Sequence, residues 1–225
     1  MKIKLLAITI AAVFTLGVQA DYLGADHNWN NGSSAAKKSG KPVGITSGVM
    51  EIAGISRNQD NKATIDPDFA KTSRKCPPFC IQPTHPFAPA AVETISELDM
   101  LNAADAIAKG DTTKVIVDAR TPGWVKKGTI PGAINVPFTK LRAKALAKDP
   151  MAVVEILVEK FGVEDMDGVL NYNNAKTLYQ FCNGSWCGQS PASIRALLTM
   201  GYPQSKIKYY RGGMNAWKAL GLTTK

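Results

Sequence analysis

The sequence predicts an α/β fold in which a parallel sheet carries helices on both faces, preceded by a mostly irregular or β-containing N-terminal extension. Short apolar runs alternate with amphipathic segments through the second half of the 225-residue chain, whereas the first half is rich in Gly, Ser and Pro. Such alternation is typical of parallel sheets whose strands are buried between helices. We expect strands at 115–117, 133–136, 177–181 and 207–210, a helix from about 94 (capped by Thr94 or Ser96), and further amphipathic or helical segments at 138–148, 151–161, 190–201 and 214–220.

Residues 1–20 have the pattern of a cleaved signal peptide. A short basic start with Lys2 and Lys4 precedes an uncharged apolar run at 5–18, and the small residue Ala20 favours cleavage directly after it. The run is shorter than the ~20 apolar residues that span a bilayer. We therefore expect a periplasmic protein with no stable membrane span once the signal is removed.

The rest of the chain divides into an extension at 21–93 and a domain at 94–225. Residues 21–41 predict a flexible leader, and 42–57 predict one or two short strands. Residues 66–91 contain too many prolines for a helix and should run extended along another surface. The apolar residues expected to pack this segment onto the domain are Phe79, Ile81 and Phe87.

The net charge of +9 raises the question of an anionic partner. The basic residues are scattered in pairs such as Lys37-Lys38 and Lys126-Lys127, without an Arg-rich stripe interleaved with aromatic residues, so we expect no nucleic-acid binding. Attraction of small anions is the more natural use of this charge. The cysteine spacing fits neither a zinc ribbon nor haem attachment, and we expect no metal and no cofactor.

The four cysteines occur as two close pairs, Cys76/Cys80 and Cys182/Cys187. An oxidising compartment permits disulfides, and four cysteines allow three connectivities, among which the sequence does not choose. One interpretation of Cys76 and Cys80 is a structural disulfide that stiffens the proline-rich segment. The other is a redox pair that lies over the loop of the second pair and exchanges with Cys182 or Cys187.

Cys182 directly follows the predicted strand at 177–181 and precedes a loop that leads to a helix with Ser190 as its N-cap and Pro191 after it. Ligands of parallel sheets bind beyond the carboxyl ends of the strands, and a helix N-terminus lowers the pKa of a thiol beside it. Two glycines allow the loop to turn several N–H groups toward one anion. The predicted substrate or anion loop consists of Asn183, Gly184, Ser185, Trp186, Gly188, Gln189 and Ser190. A buried core cysteine, or a structural disulfide with Cys187, is the plainer alternative for Cys182.

Three motifs surround Cys182: Asp118-Ala119-Arg120, the segment 128–137 (Gly-Thr-Ile-Pro-Gly-Ala-Ile-Asn-Val-Pro) and the segment 212–217 (Gly-Gly-Met-Asn-Ala-Trp). Together they resemble the rhodanese family over about residues 94–222, in an exported single-domain form with an N-terminal extension. The resemblance implies a rhodanese fold and sulfurtransferase chemistry through a persulfide on Cys182. It also implies a small sulfur-containing anion such as thiosulfate as donor, and a thiol or protein as acceptor. Asp118 and Arg120, at a strand end, could pair and support the loop before Gly128.

Two departures from the family pattern concern the cysteine loop. The interval from Cys182 to Ser190 is longer than is usual for a sulfurtransferase, and the common loop arginine is missing, since Arg195 lies inside the next predicted helix. Phosphatases that share this fold need an arginine where this chain has Gly188. We therefore expect no phosphatase activity.

Cys187 is a second candidate within the same loop. It could attack a persulfide on Cys182 as a resolving thiol, or protect Cys182 through a reversible bond. The stretch 186–190 (Trp-Cys-Gly-Gln-Ser) also looks like a thioredoxin motif with its second cysteine replaced by serine, which leaves Cys187 as a competing nucleophile.

Two functions follow as alternatives. The first is a periplasmic sulfurtransferase or sulfur carrier that acts through a Cys182 persulfide, and the cysteine at the family's catalytic position favours it. The second is a catalytically weak redox or partner-binding module that uses a Cys182/Cys187 disulfide, and the missing loop arginine favours that.

Overall fold

The computed structural model describes residues 44–46 and 49–225. The predicted signal peptide at 1–20 and leader at 21–41 lie outside these residues. The strands are β1 (Glu51–Ile52), β2 (Ile55–Ser56), β3 (Glu93–Ile95), β4 (Lys114–Asp118), β5 (Ile134–Asn135), β6 (Glu164–Met166), β7 (Val169–Asn171), β8 (Thr177–Phe181) and β9 (Ile207–Tyr210). The helices are α1 (Glu97–Ala108), α2 (Pro122–Val125), α3 (Ala143–Lys148), α4 (Pro150–Phe161), α5 (Gln189–Thr199) and α6 (Gly213–Ala219). No helix in this part of the chain is long and apolar enough to cross a bilayer.

A five-stranded sheet forms the centre of the domain, in the order β3-β9-β8-β4-β5. Every neighbouring pair in this sheet is parallel. β8 lies in the middle, with Leu178 in register with Val115 of β4 and with Ile207 of β9. Because the carboxyl ends of parallel strands meet at one edge, the residue after β8 emerges between the ends of β4 and β9. The predicted α/β fold class is confirmed.

Side chains alternate between the two faces of the sheet, and helices cover both. On one face, Val115, Val117 and Leu178 belong to a buried cluster with Leu157 of α4 and Leu197 of α5. On the other face, Tyr210 packs edge-on against Trp217 of α6 and donates its hydroxyl to Glu97 of α1 at 2.9 Å. Strands buried in this way need apolar residues on both sides, which explains their short continuous apolar runs.

The starts of two helices test the capping predictions. Ser96 caps α1, and its N–H and hydroxyl both donate to the Asp99 carboxylate, whereas Thr94 lies in β3. α5 begins at Gln189 with Gly188 as its N-cap, so the prediction that Ser190 caps this helix is wrong. The Ser190 hydroxyl is not available to the helix backbone because it donates to the sulfur of Cys182.

The sequence did not predict several short elements. β3, α2, β6 and β7 contain only three or four residues each, which is too short to show a periodic pattern. β6 is exposed at all its positions, which removes the apolar signal as well. The amphipathic segment at 138–148 is helical only from Ala143.

The described part of the extension forms a β1–β2 hairpin within the predicted strand region, and the rest of that part is irregular apart from a 3-10 turn at Pro67–Phe69. Phe87 is buried and its ring meets Tyr209 of β9 edge-on at 5.3 Å between centroids. Ile81, in contrast, is 79% exposed, so the prediction that it packs onto the domain is wrong. The neighbouring Gln82 N–H is bonded to the domain, and this orientation leaves the Ile81 side chain in solvent.

We expect Leu157→Ala to lower the free energy of unfolding by about 2–5 kcal/mol, because removal of this fully buried α4 side chain leaves a cavity against the sheet. Val158→Ala is the matched control, since the adjacent side chain is 39% exposed and its loss should change stability by less than about 1 kcal/mol. Urea unfolding followed by circular dichroism measures both. Equal losses in the two variants would contradict the packing of α4 described above.

Candidate active site

Two free thiols lie on the loop between β8 and α5. Cys182 is 2% exposed and Cys187 is 4% exposed, and neither forms a disulfide. The loop turns at Gly184, whose carbonyl oxygen accepts the Cys187 N–H at 2.8 Å. This turn places Cys182 Sγ 3.4 Å from the backbone carbonyl oxygen of Cys187 and brings the two thiols close to each other.

The Ser190 hydroxyl donates to the sulfur of Cys182 at 3.0 Å, and the Cys182 thiol can itself donate to the carbonyl oxygen of Cys187 at 3.4 Å. The Cys187 side chain and the backbone of Ser190 and Gly184 also favour the thiolate form of Cys182. Burial by itself raises the pKa of the Cys182 thiol, but these hydrogen bonds stabilise the thiolate more strongly, and the pKa falls below its ordinary value to about 7. A substantial fraction of Cys182 is therefore thiolate at neutral pH.

Cys187 is shifted in the opposite direction. The hydrogen bond between its side chain and Cys182 is the largest cause that raises the pKa of Cys187, followed by burial and by the negative charge on Cys182. The pKa of the Cys187 thiol therefore lies above that of Cys182, and this difference favours Cys182 over Cys187 as the nucleophilic sulfur.

The N-terminus of α6 holds the backbone of Cys182 and of the residue that follows it. The N–H groups of Met214 and Asn215 donate to the carbonyl oxygens of Cys182 and Asn183, at 3.0 and 2.8 Å. Gly213 has a φ of 55°, and a Cβ at this position would overlap the carbonyl oxygen of Cys182. Gly213, the second of the paired glycines, therefore permits this close approach of α6 to the loop.

A buried ion pair lies at the end of β4. Arg120 Nη2 is 2.6 Å from Asp118 Oδ2, and both side chains are only 1% exposed. Arg120 also donates to the carbonyl oxygen of Gly128 at 2.7 Å and to Asn183 Oδ1 at 3.4 Å. Thr129 donates its hydroxyl to Asp118 at 2.6 Å. The pair thus joins the end of β4 to the segment at 128–129 and to the cysteine loop.

Residues 74–82 of the extension, here termed the strap, lie against the cysteine loop. The Gln82 N–H donates to the carbonyl oxygen of Ser185 at 2.8 Å, and the Arg211 guanidinium donates to the Gln82 carbonyl oxygen at 2.7 Å. The strap is therefore joined both to the loop and to the residue that follows β9.

The strap contains a disulfide between Cys76 and Cys80, while Cys182 and Cys187 are free. Of the three connectivities that four cysteines allow, the chain thus adopts only the local bond between Cys76 and Cys80. This bond fits both interpretations of the pair, a structural disulfide and a redox pair. Its exchange with Cys182 or Cys187 remains a hypothesis.

A cleft of about 720 Å³ separates the strap from the domain. Its aromatic side chains are Phe79, Trp124, Phe138 and Trp186, its basic ones are Lys71 and Arg74, and the loop contributes Cys187, Gly188 and Gln189. Phe79 meets Trp186 edge-on at 5.7 Å between centroids, and the guanidinium carbon of Arg74 lies 3.8 Å from the centre of the Trp186 ring. The cysteine loop therefore opens onto a mixed aromatic and cationic surface.

The structure brings all the predicted loop residues together, but with different contacts. Asn183, Gly184, Gln189 and Ser190 contact one of the two thiols through the backbone or the side chain. Ser185 and Trp186 instead contact the strap, and Gly188 caps α5. Arg195 is exposed on α5 and donates to the Pro86 carbonyl oxygen at 3.3 Å, outside the cleft.

The sequence analysis did not identify the residues that surround the loop from other parts of the chain. Four of them line the cleft and one, Arg211, holds the strap; the others are Lys71, Arg74, Trp124 and Phe138. No local motif marks them, because they reach the loop only through the path of the strap and the strand order. Within the described residues, no cluster of His, Cys, Asp and Glu side chains could hold a metal ion. His85 is exposed, and His27 lies outside the described residues.

Comparisons with known proteins address the family of the chain. The sequence model of the rhodanese-like domain matches residues 101–220. No curated protein matches the chain. Among solved structures, the BH2092 protein of Bacillus halodurans is 19% identical with a TM-score of 0.37, over 56% of this chain and 71% of its own. SSP1007 of Staphylococcus saprophyticus is 23% identical with a TM-score of 0.36, over 59% and 99%. The human single-domain sulfurtransferase TSTD1 is 18% identical with a TM-score of 0.35, over 56% and 95%.

We expect Ser190→Ala to move the titration of Cys182 to higher pH. At pH 7 the variant loses a hydrogen bond to a charged acceptor, worth about 1.5–3 kcal/mol, so the ratio of thiolate to thiol should fall about tenfold or more. The ultraviolet absorbance of the thiolate, followed against pH, should rise around 7 in the wild type and later in the variant.

Ser193→Ala is the control for this titration, because Ser193 is buried in the same helix and its hydroxyl has no partner among the described residues. Its titration should match the wild type. Identical curves for Ser190→Ala and Ser193→Ala would show that the Ser190 hydroxyl does not stabilise the thiolate.

We expect Arg120→Met to destabilise the fold by about 3–5 kcal/mol, because it leaves the buried Asp118 carboxylate without its partner. Lys109→Met breaks the exposed pair with Asp105 and should change stability by at most about 1 kcal/mol. Chemical unfolding of the two variants gives the comparison, and a loss for Arg120→Met as small as that for Lys109→Met would be incompatible with a structural role of the buried pair.

Proposed function

The chain belongs to the rhodanese-like domain family, and on this premise we propose that it is a sulfurtransferase or sulfur carrier that moves sulfane sulfur through a persulfide on Cys182. The observation that carries the proposal is the environment of this thiol. Cys182 is buried at the carboxyl end of the central strand, its pKa is lowered to about 7, and the Ser190 hydroxyl donates to its sulfur. A thiolate in this position is the nucleophile that sulfur transfer needs.

In the first step, the Cys182 thiolate attacks the outer sulfur of thiosulfate. A bond forms between Cys182 Sγ and that sulfur, the bond between the two thiosulfate sulfurs breaks, and sulfite leaves with the electron pair. The products are sulfite and the Cys182 persulfide anion. The enzyme carries one negative charge before and after this step, and the N–H groups of Gly184 and Ser190 and the Ser190 hydroxyl are the donors that would stabilise it on the persulfide.

In the second step, a thiolate or another thiophile attacks the outer sulfur of the persulfide. The sulfane sulfur leaves on the acceptor, and the electron pair of the broken bond returns to Cys182 as thiolate. The cysteine loop opens onto the cleft, which provides the approach for a small thiol or for a partner protein.

Cys187 offers a second fate for the persulfide. If its thiol attacks Cys182 Sγ, the outer sulfur leaves as hydrosulfide and a Cys182–Cys187 disulfide forms, which an external dithiol must then reduce. The position of both free thiols on one loop favours this reaction, whereas the raised pKa of the Cys187 thiol slows it, because the thiolate is the attacking form. It is also the basis of the alternative function, a redox or partner-binding module that cycles this disulfide without carrying sulfur.

We also propose that the protein acts in the periplasm after cleavage behind Ala20. The basic and apolar pattern of residues 1–20 supports export. The Cys76–Cys80 disulfide supports it independently, because such bonds persist in oxidising compartments and are rare in the cytosol.

The test is mass spectrometry of the intact protein and its peptides after mild reduction and exposure to thiosulfate. We expect one added sulfur atom on the peptide that carries Cys182. Cys182→Ser should abolish this adduct, because it removes the nucleophile. Cys187→Ser should retain it or accumulate more, because the resolving thiol is lost.

The alternative function predicts a different spectrum. A Cys182–Cys187 disulfide that forms with every donor, and no sulfur adduct even in Cys187→Ser, would refute the sulfurtransferase proposal and favour the redox module. An adduct on Cys187 in the Cys182→Ser variant would instead assign the nucleophile to Cys187.

A further inference from the structure

The two free thiols are buried, although any reaction of Cys182 requires an external molecule to reach its sulfur. Cys187 lines the cleft between the strap and the domain, and Arg74 and Phe79 of the strap line the same cleft. An external molecule that approaches the thiols through the cleft therefore passes beneath the strap. The position of the strap decides how wide this approach is.

One end of the strap is fixed through the backbone. The Gln82 N–H donates to the carbonyl oxygen of Ser185 at 2.8 Å, and the Gln82 carbonyl oxygen accepts two hydrogen bonds from Arg211, at 2.7 and 3.0 Å. These bonds hold Gln82 between the cysteine loop and the end of β9. Gln82 is therefore the point about which the rest of the strap can move.

The other part of the strap is held over the loop by side-chain contacts alone. Phe79 meets the Trp186 ring edge-on, and the Arg74 guanidinium is stacked on the same ring. Each contact of this kind favours the closed position over an open one by only about two- to tenfold. Something further has to keep residues 74–80 in one conformation against the loop.

The Cys76–Cys80 disulfide closes the segment that carries Phe79. Within this small ring, the Phe79 N–H also donates to the carbonyl oxygen of Lys75 at 3.1 Å. A covalent ring removes most of the conformations that the segment could otherwise adopt, so the Phe79 side chain stays directed at the cysteine loop. Cys76 is exposed and Cys80 is half-buried, which leaves the bond open to attack by a thiolate from solution.

We propose that the Cys76–Cys80 disulfide is a redox switch that controls access to Cys182. With the bond intact, the strap lies against the loop and narrows the approach to the thiols. When an external dithiol reduces the bond, residues 74–81 move away from the loop about Gln82, and the cleft opens. The switch acts on access and not on the chemistry of Cys182, so it goes beyond the proposed sulfur transfer and does not depend on it.

The reduction is a thiol–disulfide exchange with a dithiol as the reductant. One thiolate of the dithiol attacks Cys76 Sγ, the bond between the two strap sulfurs breaks, and Cys80 leaves as a thiolate. The second thiolate of the dithiol attacks the dithiol sulfur of this mixed disulfide and displaces Cys76. The dithiol gives up two electrons and becomes a disulfide, and its two protons end on Cys76 and Cys80.

The first experiment measures the rate at which Cys182 is alkylated in the oxidised full chain and in the double variant Cys76→Ser/Cys80→Ser. Iodoacetamide and iodoacetamidofluorescein share the reactive group and differ in size, and fragment mass spectra distinguish adducts on Cys182 from those on Cys187. We expect the double variant to react about tenfold faster or more with the bulky reagent, and to gain less with the small one. A change in the thiolate fraction of Cys182 would multiply both rates equally. Equal gains for the two reagents, or no gain, would overturn the proposal.

A second variant opens the strap without removing a cysteine. Phe79→Ala, in the oxidised chain, should raise the rate with the bulky reagent about two- to tenfold, because the contact with Trp186 is lost. Ile81→Ala is the matched control in the same strap, since that side chain is in solvent, and its rate should equal that of the wild type. Equal rates for the two variants would show that Phe79 does not hold the strap closed.

The second experiment changes the redox state of the unmodified chain. The wild type is reduced with dithiothreitol, the dithiol is removed without air, and the alkylation is repeated. We expect the rate to rise to that of the double variant, with an unchanged far-ultraviolet circular dichroism spectrum. The same treatment should not alter the rate of the double variant. If dithiothreitol accelerates both proteins equally, the strap disulfide is not the switch and the proposal fails.

Sulfur loading of the same samples from thiosulfate separates the switch from the proposed function. A persulfide that forms on Cys182 equally fast with the strap oxidised or reduced would sink the switch and leave the sulfurtransferase proposal standing. Alkylation that depends on the strap disulfide, with no sulfur adduct in either state, would support the switch and refute sulfur transfer. Reduced wild type supplies these measurements by itself if the double variant does not fold.

Discussion

The ion pair between Asp118 and Arg120 connects the sheet to the cysteine loop. Two charges this deeply buried are stable only when their remaining hydrogen-bonding groups are satisfied, and here the neighbouring segment at 128–129 and the Asn183 side chain do so. The geometry of each partner therefore depends on the others. A shift of the loop would leave part of the Arg120 guanidinium unpaired, which holds the loop in one position relative to the end of β4.

Two chemically identical side chains acquire opposite properties within this loop. The hydrogen bonds around Cys182 lower the pKa of its thiol, while burial and the adjacent charge raise the pKa of Cys187. The dipole of α5 does less to separate the pKa values of the two thiols, because both sulfurs lie near the N-terminus of this helix. The Ser190 hydroxyl, which contacts only the Cys182 sulfur, makes the clearest local distinction between them.

The parts of this arrangement that the sequence predicts are local ones. The apolar run of β8, the cysteine directly after it and the helix that follows lie in one continuous segment, so their order fixes the position of Cys182 at the edge of the sheet. The family resemblance added Asp118 and Arg120. The start of α5 was predicted wrongly because Ser190 has two possible uses, as a cap or as a donor to sulfur, and only tertiary structure decides between them. Arg74 could not be predicted, since its approach to Trp186 depends on the path of the strap.

The way the strap is attached affects which residues of the protein can change during evolution. One wall of the cleft belongs to a segment outside the sheet. Phe79 and Arg74 of this segment contact Trp186, but the backbone hydrogen bond between Gln82 and Ser185 joins it to the cysteine loop independently of any side chain. Side chains on that wall can therefore change in size and charge while the sheet, the thiol pair and their hydrogen bonds stay as they are. The fold thus separates the part of the protein that performs the chemistry from a part that evolution can revise independently.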